Sequence, residues 1–170
     1  MTDKEKQLYL LYLRALKLIQ RGNAVKLSTK GKKMKVTFNL PKAGFNLNHN
    51  QMQKVLELIR LDVQSRTPVD TGQLKRSIKA KVIGTNKGQI YITGKRNNEV
   101  AIYQHEGTID HFIAPKSPSG VLHWMTGGKH YFSKGHMVRG IEPTNFFQPS
   151  KRVLSAVQRL VAGFLNINFR

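Results

Sequence analysis

The sequence predicts an α+β fold: an antiparallel β-sheet of about four strands, two to three helices packed on one face, and a long irregular loop. Three observations carry that prediction. Apolar residues recur at helical spacing over residues 50–65 and again over about 149–165. Short runs rich in β-branched and aromatic residues, punctuated by Gly and Asn, lie between those two segments. Ahead of both, Met34, Val36 and Phe38 alternate with polar residues, as in a strand with one buried face.

Length and composition bound the reading further. A chain of 170 residues fits a single domain spanning 1–170, with an N-terminal helix and basic segment over 1–45 and a core over 46–170. The chain contains no Cys, which excludes disulfides and thiolate zinc sites. No apolar run approaches the roughly 20 residues that span a bilayer. The apolar N-terminal stretch is interrupted by Arg14 and Lys17 and has no small-residue cleavage site, so a soluble protein used without export is expected. Charge is the strongest global feature: 29 Lys and Arg against 9 acids give a net charge of +20. Such an excess points to a polyanionic neighbour, either nucleic acid or an acidic protein.

Taken in order, Leu8, Leu11, Tyr12, Ala15, Leu18 and Ile19 predict a helix over 4–21 that ends at Gly22. Tyr9, Leu10, Leu13 and Leu16 make that helix apolar around most of its girth, which suggests docking or oligomerisation. Residues 26–35 are basic and turn-rich and lead into the strand at 34–38, after which 41–50 form a loop with an Asn or His start signal. Met52, Val55, Leu56, Ile59 and Val63 predict an amphipathic helix that Pro68 stops. Strands are expected over 80–85, 89–94 and 99–107, with an irregular, interface-like loop over 108–149. The last helix places Val153, Leu154, Val157, Leu160, Val161 and Phe164 on one face.

One motif decides between chemistry and structure. Residues 67–78, TPVDTGQLKRSI, contain the Asp-Thr-Gly tripeptide of aspartic proteases. Yet Asp70 has Gln73 three positions on, the spacing of a capping box, and Val69 and Leu74 stand at the spacing of a hydrophobic staple. Lys75 and Arg76 nearby favour an ionised carboxylate, whereas a protease dyad needs a shared proton. The expected role of Pro68, Asp70, Thr71, Gly72, Gln73, Leu74, Ser77 and Ile78 is therefore structural: a capped turn that joins a long helix to a sheet.

These residues also resemble the signature of the head–tail joining, or tail-completion (neck), family of lambdoid-type siphophages. Ala101-Ile102-Tyr103 running to Glu106-Gly107-Thr108 resembles that family's strand and Gly-Thr turn. Gly140-Ile141-Glu142-Pro143 and Phe146-Phe147-Gln148-Pro149 are similar to its approach to the last helix, so the resemblance covers about 50–165. It implies a non-enzymatic virion protein without a cofactor, assembled in the host cytoplasm. Such a protein forms a homo-oligomeric ring, commonly a hexamer, between head-completion or connector proteins and the tail-tube protein, with double-stranded DNA in the lumen.

The charge fits a DNA channel only in part. About 40 Å of duplex holds some 24 phosphates, whereas six copies at +20 would bring about 120 positive charges. The remaining charge must meet acidic proteins or counterions. Candidate contacts with DNA or an acidic partner are Lys26, Lys30, Lys32, Lys33 and Lys35 in one cluster and Lys75, Arg76, Lys79 and Lys81 in another. Candidate protein-interface residues are Leu10, Leu13, His111, Trp124, Tyr131 and Phe132. Five of the six His fall between 105 and 136, but none has a helical metal-ligand spacing and no Cys assists, so no metal site is assigned. Two other readings remain open: a basic DNA-binding protein acting as monomer or dimer, and a metal-dependent nuclease using these histidines.

Overall fold

Four antiparallel strands form the main sheet in the order β1-β2-β4-β3, with β1 at Val25–Ser28, β2 at Lys35–Asn39, β3 at Ile78–Gly84 and β4 at Lys87–Ile92. A computed structural model describes residues 13, 25–28, 33–40, 46–117 and 119–164. The expected N-terminal helix, with Leu10, and the loop lysines Lys30 and Lys32 lie outside those residues, apart from Leu13, which is helical and half-buried. The register pairs Val36 with Ile90 and Ala80 with Ile90 on the two sides of β4. Because side chains alternate across a strand, this register gathers Val36, Phe38, Ile78, Ile90 and Ile92 on one face.

Helix α1 (His49–Arg66) closes that face. Asn48 caps it: the Asn48 side chain accepts from Gln51 N–H at 2.9 Å, and Gln51 Oε1 accepts from Asn48 N–H at 2.9 Å, a complete capping box. Met52, Val55, Leu56, Ile59 and Val63 are buried as their spacing predicts, and each gains about 1.5–3 kcal/mol by leaving water. The helix lies so close to β4 that a Cβ on Gly88 would sit 2.5 Å from Leu56 Cδ1. The helix ends at Thr67, whose extended backbone (ψ 125°) is what Pro68 demands of its neighbour.

Three further helices follow: α2 (Gln73–Ser77), α3 (Lys95–Glu106) and α4 (Lys151–Phe164). Helix α4 packs on α1, burying Val153, Val157 and Val161, with Leu154, Leu160 and Phe164 partly buried against the same core. Asp62 fastens this pair: it accepts from Ser150 Oγ at 2.6 Å, from Ser150 N–H at 3.0 Å and from Arg66 Nη2 at 2.7 Å. Ser150 Oγ in turn accepts from Val153 N–H at 3.2 Å, so one carboxylate holds the residue that caps α4.

The structure corrects three expectations. Residues 99–107 form most of α3, not a strand. The buried residues of the whole helix are Asn98, Ala101 and His105, a helical spacing that the β-branched and aromatic Val100, Ile102 and Tyr103 obscure. Residues 108–149 are not simply irregular: β5 (His111–Ile113) pairs with β8 (His136–Val138), and β6 (Leu122–Thr126) with β7 (Lys129–Ser133). Gly127 and Gly128, both at positive φ (58° and 77°), make the two-residue turn between β6 and β7.

The third correction concerns the cap. Helix α2 begins after Gly72, in the left-handed conformation (φ 72°), and Gly72 O accepts from Arg76 N–H at 3.1 Å. Asp70 is exposed two residues upstream and makes no capping bond, and Val69 is 65% exposed, so neither box nor staple forms. The nearest substitute is a long contact of 3.4 Å from Gln73 N–H to Thr71 Oγ1. A left-handed glycine starts this helix where a side chain was expected to.

Candidate assembly and nucleic-acid interface

Three surfaces stand out once the elements are placed. The first is a groove between the loop 68–74 and the exposed flank of α3, lined on the α3 side by Arg96, Asn97, Val100 and Gln104. Asp70 is the one carboxylate on its walls among the described residues. Aspartic protease chemistry requires two carboxylates sharing a proton, and the groove of a single chain does not supply them. Leu74, Ser77 and Ile78 are buried, with Ser77 Oγ donating to Leu74 O at 2.7 Å, so this half of the motif anchors the turn into β3.

The second surface is the excursion 108–142. Its base is tied by Thr108 N–H to Ile141 O at 2.9 Å, Ile141 N–H to Thr108 Oγ1 at 3.0 Å and Gly140 N–H to Asp110 Oδ1 at 2.7 Å. Beyond it, nearly every residue of β6 and β7 is exposed on both faces. Cross-strand register puts His123 opposite Phe132 and Trp124 opposite Tyr131. His123 stacks on Phe132 (4.7 Å) and shares a ring-nitrogen hydrogen bond with His130 (2.8 Å), and on the other face Trp124 stacks on Tyr131 (5.7 Å) and meets His136 (4.6 Å). Met125 and Phe132 remain 62% and 65% exposed. The hairpin is a two-stranded arm, joined by an antiparallel ladder and cross-strand ring contacts, and it presents large apolar area in two directions. Of the predicted interface residues, the structure brings Trp124, Tyr131 and Phe132 together here and leaves His111 exposed near the base.

Two histidines meet in the arm, His123 Nε2 lying 2.8 Å from His130 Nδ1. Among the described residues no three His, Asp or Glu side chains come together as a metal-binding group. His105 is buried within α3, edge-on to Phe146 at 6.0 Å, and its Nδ1 accepts a long bond of 3.4 Å from Phe147 N–H. Burial lowers its pKa, Glu106 opposes that shift, and Arg66 adds to it, so the balance favours the neutral ring. That is the environment of a core histidine.

The third surface is the outer face of the four-stranded sheet. Two rows cross it: Ser28, Lys35, Tyr91 and Lys79 in one, and Lys26, Thr37, Gln89 and Lys81 in the next. Lys87 shares the face of Gln89 and Tyr91, one position further along β4. The four strands contain five Lys and no Asp or Glu, and all five Lys are exposed on this face. The two clusters that look separate in sequence, around 26–35 and 75–81, are thus partly one surface. Lys33, Lys75 and Arg76 are exposed outside the strands.

Sequence reading missed two buried asparagines that position these surfaces. Asn98 Oδ1 accepts from Met34 N–H at 2.8 Å while its Nδ2 donates to Ile92 O and Gly94 O at 2.9 and 2.8 Å, which ties α3 to the ends of β2 and β4. Asn86, in the left-handed region (φ 56°), accepts from Leu47 N–H at 2.7 Å and, through its carbonyl, from Leu40 N–H at 2.9 Å. An Asn between two β-runs signals a turn, but nothing in its spacing reveals such distant partners.

Helix α1, the turn, the β3-β4 hairpin and α3 form one continuous unit, and that unit has relatives. Residues 48–107 match the model of the HK97-gp10-like family, described as "Bacteriophage HK97-gp10, putative tail-component". Over this segment the chain is similar to a phage tail component. The match spans α1 to the end of α3, including Asp70-Thr71-Gly72, and agrees with the resemblance drawn from the sequence. The arm, α4 and the Phe146-Phe147 approach lie beyond it. No curated protein and no solved structure matches the chain significantly. Among the described residues no helix is long and apolar enough to cross a membrane.

Proposed function

We propose that this chain is a non-enzymatic structural protein of a tailed-phage virion, a tail-completion or head–tail joining subunit that assembles as a ring at the neck. The observation that carries the reading is the aromatic arm on a body matched to a tail-component family. Two stacked, exposed faces have no use in a monomer, because large apolar patches on soluble monomers mark interaction sites. A neighbouring subunit can cover one face while a connector or tail-tube protein covers the other. Six copies would then enclose the DNA path. A DNA-binding monomer or dimer would use the lysine face but leave the arm without a role.

Incorporation tests the proposal. Phage carrying a chain in which residues 121–134 are replaced by Gly-Gly should yield filled heads and unjoined or incomplete tails, while the purified variant keeps its helical circular dichroism. Normal virions assembled with that variant would contradict it.

A further inference from the structure

We infer that the outer face of the four-stranded sheet is a sequence-independent seat for the sugar-phosphate backbone of duplex DNA. The inference rests on the neck reading for its setting and on the sheet register for its content. All five cations of the four strands, Lys26, Lys35, Lys79, Lys81 and Lys87, share one face, and no carboxylate of the strands neutralises them. Lysines on edge strands often serve only to block edge-to-edge pairing. Lys35 and Lys87, however, lie on the two central strands, where no edge needs protecting.

Spacing and chemistry favour phosphate over protein. Strands about 4.8 Å apart put Lys35 and Lys79 roughly 10 Å from each other across β4, within the roughly 12 Å width of a major groove. Between the lysines stand Thr37, Gln89 and Tyr91, side chains of the kind that hydrogen-bond phosphate and sugar oxygens. Protein interfaces are different: they deplete Lys at their centre and anchor on large apolar or aromatic groups. Among the described strand residues this face carries a half-buried Tyr91, with Ile83 exposed at the far end of β3, and no Phe, Trp, Leu or Met, whereas the arm has them. The molecule separates its two partners by surface: rings on the arm, cations on the sheet. A seat of few, exposed lysines also suits a path through which DNA must slide.

The test uses the full chain and a fluorescently labelled 30-base-pair duplex of arbitrary sequence, titrated at several salt concentrations. Four to five phosphate contacts predict a slope of log K against log salt of about −4. The triple variant K35Q/K79Q/K81Q should bind at least tenfold more weakly near 100 mM salt, with a slope shallower by about 2 to 3. The arm variant K129Q/K134Q should bind as the unaltered chain does. Unchanged affinity and slope in the triple variant, equal loss in the arm variant, or poly-glutamate binding as tight as duplex would each overturn the inference. Virion assembly is scored in parallel. Loss of assembly with unchanged duplex binding would make the face a protein contact and leave the neck reading standing. Loss of duplex binding by the triple variant, from a chain that never enters virions, would sink the neck reading and leave the DNA seat.

Discussion

Asp70 is the residue that most invites a chemical reading, and its surroundings argue against one. It is exposed, caps nothing and, among the described residues, faces no second carboxylate in its groove. Asp70→Asn should therefore change unfolding free energy by no more than about 0.5 kcal/mol, the usual range for an exposed site, and leave assembly intact; loss of assembly would give the carboxylate a contact of its own. Asp62 is the carboxylate with structural weight. Burial opposes its ionisation, but hydrogen bonds from Ser150 and the Arg66 guanidinium outweigh that and hold its carboxyl below the ordinary value. A carboxylate with a depressed folded pKa stabilises above its unfolded pKa, and that stability is lost as pH falls through the folded value. Asp62→Asn should accordingly destabilise the fold by about 1–3 kcal/mol at neutral pH, with the difference shrinking below about pH 4, as denaturant titrations across pH will measure. His105 is shifted in the same direction. Its lowered folded pKa means that its neutral form supports the fold above about pH 6.5, and stability falls as acid protonates it.

At the scale of elements, Asn98 shows what links sheet to helix. Asn98→Ala would leave Met34 N–H, Ile92 O and Gly94 O without their side-chain partner. We expect a loss of about 1–3 kcal/mol, read as a lowered urea midpoint. The arm behaves in the opposite way. Met125→Ser with Phe132→Ser should shift monomer stability by less than about 1 kcal/mol, because both side chains are largely exposed, yet block incorporation into tails. The same contrast explains what the sequence made legible. Helices α1 and α4 were readable because each buries one stripe at a regular spacing. Helix α3 was not, because its buried face is Asn98, Ala101 and His105, two of them polar. The arm was unreadable as strands because neither face packs on the core, so no alternation of apolar and polar residues marks it. The Asp70 cap failed because α2 opens two residues later, after a left-handed Gly72, which leaves Asp70 outside the cap position.

At the scale of the whole molecule, the sheet divides the chain's two tendencies. Its inner face meets α1 to make the core, and its outer face collects lysines that the sequence distributes over more than sixty positions. Only the antiparallel register brings Lys26 into line with Lys81, which is why composition signalled a polyanion but not where it would lie. The arm projects large rings from this body, and a closed ring of subunits gives those rings something to cover. The most direct measurement is electron cryomicroscopy of purified virions with the chain traced into the density. The account predicts a ring of these subunits at the neck, with each arm between a neighbouring subunit and an adjoining neck or tail protein. Virions that lack the chain, or that hold it as isolated copies with their arms in solvent, would contradict it.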